Sequence, residues 1–238
     1  MNLLKFLFKK NIVSNTEKIN TNTSENIGEK FEQDLLNKYG NCKPLLNYGL
    51  KILFITDTHN CLSYTDKYVN ILKSINPSDY DLCIILGDLS GLDIDEIKRI
   101  VPSEKLFGVI GNHDSINFLE ENKINNINGK VIICKGIKIA GIMGSNRYKD
   151  KDYGMQTHEE SIELSEKMEP ADILISHDKA YVLDRHDNVH DGLKGITNYI
   201  YKNHVPLHIH GHLHEESEEI LKNGTKSICL YQIKLLEI

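Results

Sequence analysis

The chain has 238 residues, 40% hydrophobic and 26% charged, and no apolar run approaches the ~20 residues that span a bilayer. Its formal net charge of -6 argues against broad, charge-driven binding of nucleic acid. The five cysteines, Cys42, Cys61, Cys83, Cys134 and Cys229, are scattered and form no Cys-x-x-Cys pair, as expected of reduced thiols in a cytoplasmic protein.

Residues 1–48 differ in composition from the rest, with seven lysines against five acidic residues. Leu3, Leu4, Phe6, Leu7 and Phe8 form an apolar cluster cut short by Lys9-Lys10, too brief for a signal peptide. It reads as part of a disordered lead or, together with the nearby lysines, as a segment that docks on a partner or a membrane surface. Residues 11–26, rich in Asn, Thr, Ser and Glu, read as flexible. Phe31, Leu35 and Leu36 share one helical face, and Gly40 stands just past its end. This organisation predicts a flexible N-terminal segment over 1–48 with a short helix, and one compact domain over 49–238.

From residue 50 the pattern becomes α/β. Strands are predicted over 50–56, 82–86 and 106–110, with helices near 66–75, 95–100 and 114–119. Residues 130–134 and 137–142 read as a hairpin around Lys135-Gly136. A helix over 157–168 opens with Thr157-His158-Glu159-Glu160, a capped and acid-biased first turn. A strand follows at 173–175, a helix at 192–203 and a strand at 206–210. Asn223-Gly224 predicts a tight hairpin between 220–222 and 225–230, and a strand near 232–236 ends the pattern.

Five of the apolar runs lead into the residues that carry chemistry: Asp57-Thr58-His59, Gly87-Asp88, Gly111-Asn112-His113-Asp114, Ser176-His177 and Gly211-His212-Leu213-His214. Polar groups at the ends of buried strands sit on loops held by a rigid scaffold. Taken as ligands, Asp57, His59, Asp88, Asn112, His177, His212 and His214 exceed the four to six donors that a single ion commonly takes, which points to two ions. The carboxylate of Asp88 is the natural bridge, and Asn112 adds a hard oxygen without charge. Such imidazole-rich mixed sets favour Mn, Fe, Zn, Co or Ni over Ca or Mg, with manganese preferred. His208 and His210 extend the run of alternating histidines but read as core or supporting groups. Arg147, in a loop with Tyr148, is a candidate phosphate contact, and His190, on the loop with His186, a candidate substrate contact.

The ordered set Asp-x-His, Gly-Asp-x-x-Gly, Gly-Asn-His-Asp, a histidine after an apolar strand, and Gly-His-x-His resembles the calcineurin-like metallophosphoesterase family. The resemblance spans residue 50 to the C-terminus and implies a four-layer α-β-β-α sandwich with mixed sheets. It implies one metal held by Asp57, His59, Asp88 and His214 and another by Asp88, Asn112, His177 and His212. His113 would be the catalytic histidine, positioned by Asp114, and a metal-bridging hydroxide the nucleophile. Prolines often follow the Ser/Thr-His motif in this family, whereas Asp178-Lys179-Ala180 stand here. The function implied is hydrolysis of a phosphoester, by a phosphodiesterase or phosphatase. The rivals are a nuclease, or a scaffold that keeps the fold without catalysis.

Overall fold

Alternation along the first strand decides the layering. In β1 (Lys51–Thr56), Ile52 and Phe54 face one core while Leu53 and Ile55 face another, and all four are buried. A strand buried on both sides needs a covering layer on each. The computed structural model describes residues 24–59, 66–150, 153–181 and 189–238. The apolar cluster at residues 3–8, most of the polar stretch 11–26, Cys61, Lys151, Asp152 and His186 lie outside the described residues.

β1 runs parallel to β2 (Leu82–Ile85), which pairs in turn with β3 (Leu106–Gly108) and β4 (Asn125–Asn126). β13 (Gln232–Glu237) closes the other side of β1 antiparallel, with Thr56 opposite Gln232, giving the order β13-β1-β2-β3-β4. The second sheet has the order β11-β12-β10-β9-β6-β5, from β5 (Val131–Cys134), β6 (Ile137–Ile142), β9 (Ile173–Ser176), β10 (Leu207–His210), β11 (Ser217–Ile220) and β12 (Lys226–Cys229). Its central strands are parallel and its two outer pairs antiparallel. A short parallel pair, β7 (Ser145–Asn146) and β8 (Met155–Gln156), stands apart.

Ile52, Phe54, Ile84 and Val109 of the first sheet meet Ile139, Ile173, Ile175 and Ile209 of the second in one apolar core. On the outer face of the first sheet, Leu53, Ile55, Cys83 and Ile85 pack under α2 (Asp66–Ser74), α3 (Gly91–Lys98) and α4 (Phe118–Glu121). Ala140, Ile142 and Leu174 on the outer face of the second pack under α5 (His158–Lys167) and α6 (Lys194–Lys202). The result is the four-layer sandwich, helices outside and two mixed sheets within. Among the described residues no helix is long and apolar enough to cross a membrane.

The N-terminal helix, α1 (Ser24–Tyr39), joins the outer layer over α6, with Leu35 buried and Phe31 and Leu36 against the same core. Its Glu32, 3% exposed, accepts the Tyr201 hydroxyl at 2.6 Å and pairs with Lys222 at 3.3 Å. The connection from 40 to 48 is also tied down, with Cys42 N–H donated to Asn223 O and Tyr48 N–H to Ile238 O.

Local chemistry moved several boundaries. The helix expected from residue 95 starts at Gly91, because Ser90 and Asp93 form a reciprocal capping box. The helix expected from Asp114 starts only at Phe118, since the Asp114 carboxylate binds amides of neighbouring loops instead of capping its own. Asn223-Gly224 closes a wider turn than two residues: Leu221 N–H bonds to Thr225 O and Gly224 N–H to Leu221 O. The hairpin at Lys135-Gly136 has two loop residues, both with positive φ, the conformation whose twist matches the flanking strands.

Candidate metal centre

All five motif loops leave the carboxyl ends of strands, β1, β2 and β3 in one sheet and β9 and β10 in the other. They are drawn together through their backbones: Asp57 N–H bonds to Gly87 O, His59 N–H to Asp88 O, and Gly211 N–H to His177 O. Close approach explains the motif glycines. A Cβ on Gly111 would lie 2.1 Å from Asp88 Oδ1 and 2.6 Å from His177 Cε1. Gly87, at φ +103°, would bring a Cβ to 2.2 Å from Gly111 N. Nine non-glycine residues among those described have positive φ, and five of them are Asp57, His59, Asp88, His212 and His214. Such backbone costs on the order of 1–3 kcal/mol per residue and collects where function requires it.

The side chains converge in two groups. Ligand atoms of Asp57, His59 and His214 lie within 4.8 Å of one another, and so do those of Asp88, His177 and His212. Asn112 Oδ1 joins the second group, 2.9 Å from His177 Nε2. Asp88 Oδ2 lies between the groups, 3.6 Å from His177 Nε2 and 4.0 Å from His59 Nε2, while Asp88 Oδ1 accepts His113 N–H at 2.8 Å. The second group is buried, whereas His59 and His214 are exposed, so the centre opens to solvent on their side.

The donor atoms suit cations. Asp57 Oδ2 accepts the Thr56 hydroxyl and His212 N–H, whereas its buried Oδ1 makes no well-formed hydrogen bond among the described residues and faces His214 Nε2 at 3.3 Å. His177 Nδ1 lies 2.8 Å from the Leu86 carbonyl, which only accepts, so the neutral ring turns the Nε2 lone pair toward Asn112 Oδ1. His212 Nε2–H is likewise committed to Val189 O at 3.1 Å, leaving Nδ1 a lone pair. His59 Nε2 and His214 Nε2 face each other at 3.1 Å.

The protonation balance follows the same geometry. Burial alone would raise Asp57, but the His214 contact, His177, the Thr56 hydroxyl and the His212 amide outweigh it and hold its carboxyl below the ordinary range. Burial pushes His212 down, toward the neutral imidazole a metal needs. In His177 burial acts the same way, yet Asp88 and Asp57 overcome it and raise the ring. Burial, reinforced by the charge of Asp88, pushes Asp114 up to about 6 against the amides that lower it.

The remaining candidates take varied positions. His113 is exposed, its ring centroid 5.4 Å from that of His59 and edge-on. Asp114 accepts the amides of Asp88, Leu89 and Gly111, bracing two motif loops. The His190 ring lies 5.2 Å from that of His212. Arg147 donates to Glu160 at 3.1 Å, and Glu160 also accepts Thr157 N–H in the cap of α5. His208 stands outside both groups. The Ser176 hydroxyl donates to Asp178 O, so His208 Nε2–H donates to Ser176 Oγ and Nδ1 accepts from Ser227. His210 stacks on His208 at 5.1 Å and donates Nδ1–H to Gly211 O; burial pushes it down to about 4. Sequence reasoning assigned no part to Tyr231, stacked 5.6 Å from His214, nor to Tyr148, whose hydroxyl accepts Asn112 Nδ2–H at 3.2 Å. No local pattern marks either one.

A family model described as calcineurin-like phosphoesterase matches residues 50–216, which include all seven convergent donors. The chain belongs to the calcineurin-like phosphoesterase family. TT1561 of Thermus thermophilus aligns with a TM-score of 0.51 at 15% identity, covering 79% of this chain and 94% of that one. The phosphopantetheinyl hydrolase of Mycobacterium tuberculosis aligns with a TM-score of 0.53 at 12% identity, covering 80% and 97%. At such identities the likeness is one of fold. No curated protein matches the chain in sequence.

Proposed function

We propose that this phosphoesterase-family chain hydrolyses phosphoester bonds with two divalent cations. One observation carries the reading: two groups of nitrogen and oxygen donors, from two different sheets, meet at a single carboxylate oxygen of Asp88. Asp57, His59 and His214 with Asp88 would hold one cation, and Asp88, Asn112, His177 and His212 the other. The mixed imidazole, carboxylate and amide set favours manganese or a similar transition metal. When bound, the pair supplies an acidified water and charge neutralisation for the phosphoryl group.

The chain's own residues supply the rest. His113 stands on the exposed side, anchored through its amide to Asp88 Oδ1, where a ring nitrogen can give its proton to the leaving oxygen. His190, beside His212, borders the centre at its second group. Arg147 gives one guanidinium nitrogen to Glu160 and keeps its other N–H groups for a phosphoryl oxygen, so it stays a candidate substrate contact. The decisive experiment is a turnover screen with Mn(II), comparing monoesters, diesters, cyclic nucleotides and a single-stranded oligonucleotide. Metal-dependent hydrolysis of a small ester supports the reading, and preference for the oligonucleotide would shift it to a nuclease. Two bound ions with no turnover of any ester would leave a scaffold.

A further inference from the structure

We propose that Tyr148 is a substrate contact, its hydroxyl donating to a phosphoryl oxygen of the ester held at the Asn112 side of the centre. The proposal rests on the dinuclear reading above. Its starting point is the direction of one hydrogen bond. The amide nitrogen of Asn112 can only donate, so at 3.2 Å the Tyr148 oxygen must be the acceptor. The phenol's own proton is then left over, and among the described residues nothing accepts it. Asn112 turns its other end, Oδ1, toward His177 Nε2 at 2.9 Å. The uncommitted O–H therefore stands on the far side of the Asn112 amide from His177, one hydrogen bond beyond Nδ2, where an anionic oxygen bound at the second donor group would be in reach.

The surroundings fit an anion. Tyr148 is half-buried, so a ligand can reach it, and Lys149 holds its ammonium 5.0 Å from the ring centroid. A cation there draws electron density from the phenol and sharpens it as a donor. The placement is also braced in advance. Asn146 N–H is donated to Asp178 Oδ2 at 3.0 Å, next in sequence to the donor His177. Arg147 is pinned twice, by N–H to Gln156 O at 2.9 Å and by its guanidinium to Glu160. These contacts fix the backbone beside Tyr148, and a donor held in place needs little ordering when the ester arrives.

Tyr148→Phe keeps the ring and removes only the hydroxyl. Calorimetric titration of Mn(II), followed by titration of inorganic phosphate into the Mn-loaded protein, separates the possible results. The expected outcome is a variant that retains both ions with wild-type affinity and binds phosphate about tenfold or more weakly, the size of a charge-assisted hydrogen bond. kcat/KM on a small ester should fall by a similar factor. Unchanged phosphate affinity would overturn the proposal. So would loss of an ion from the variant, since Tyr148 would then serve Asn112 alone. If the wild-type protein itself takes up fewer than two ions, it is the dinuclear reading that fails, whatever Tyr148 does.

Discussion

His113 sits one residue past a buried donor and one before a buried carboxylate, yet its own ring is exposed. Its amide bonds to Asp88 Oδ1, so its position depends on Asp88 without its ring being needed for that contact. A proton from that ring matters most for a poor leaving group such as an alkoxide, and least for a nitrophenolate that departs unaided. His113→Gln is therefore expected to keep its metal content and to lose at least about tenfold more kcat on an alkyl ester than on a nitrophenyl ester. Equal losses on the two esters would assign the ring to charge stabilisation, and metal loss would make it a ligand.

Helix α1 shows how composition and packing divide a chain differently. The change in composition near residue 48 suggests a boundary there, but Leu35 is buried against the α6 layer and Glu32 is bonded to Tyr201 and Lys222. Burying a leucine contributes roughly 1.5–3 kcal/mol, and removal of the helix would expose more than one such side chain. A chain lacking residues 1–43 should melt at least about 4–8 °C below one lacking only 1–23, taking about 2 kcal/mol and a domain of this size. Differential scanning calorimetry of the two truncations decides it; coincident melting curves would show that α1 adds nothing to the fold.

On the scale of the molecule, the donor set joins the two sheets. Asp57, His59, Asp88 and Asn112 follow strands of one sheet, and His177, His212 and His214 follow strands of the other. Each cation bound across that seam as proposed would stabilise the sandwich by mass action, by about 2.7 kcal/mol at a hundredfold excess over its Kd. Adding EDTA to the Mn-loaded protein should lower Tm by at least about 5–11 °C, the effect of losing one ion at that saturation. Asp88→Asn, which weakens the shared donor, should abolish most of this shift. A melting curve indifferent to both metal and chelator would separate the centre from the stability of the fold.

The sequence by itself determined what is local. A short apolar run, a glycine and a metal-capable side chain are adjacent in the chain, so the five strand ends, their donors and the capped start of α5 could be read residue by residue. Tertiary structure decided whatever depends on groups far apart in sequence. His208 and His212 alternate along the same stretch, but only the placement of Ser176 and Ser227 shows that both ring nitrogens of His208 are already used. The contact between Asn112 and Tyr148 spans 36 residues and that between Glu32 and Tyr201 spans 169, and no periodicity records either. Composition marked α1 as peripheral because its surface is polar; its few apolar side chains meet a layer built from the other end of the chain. A hydrogen bond or a buried contact is a property of a pair, and only the folded chain brings the members of these pairs together.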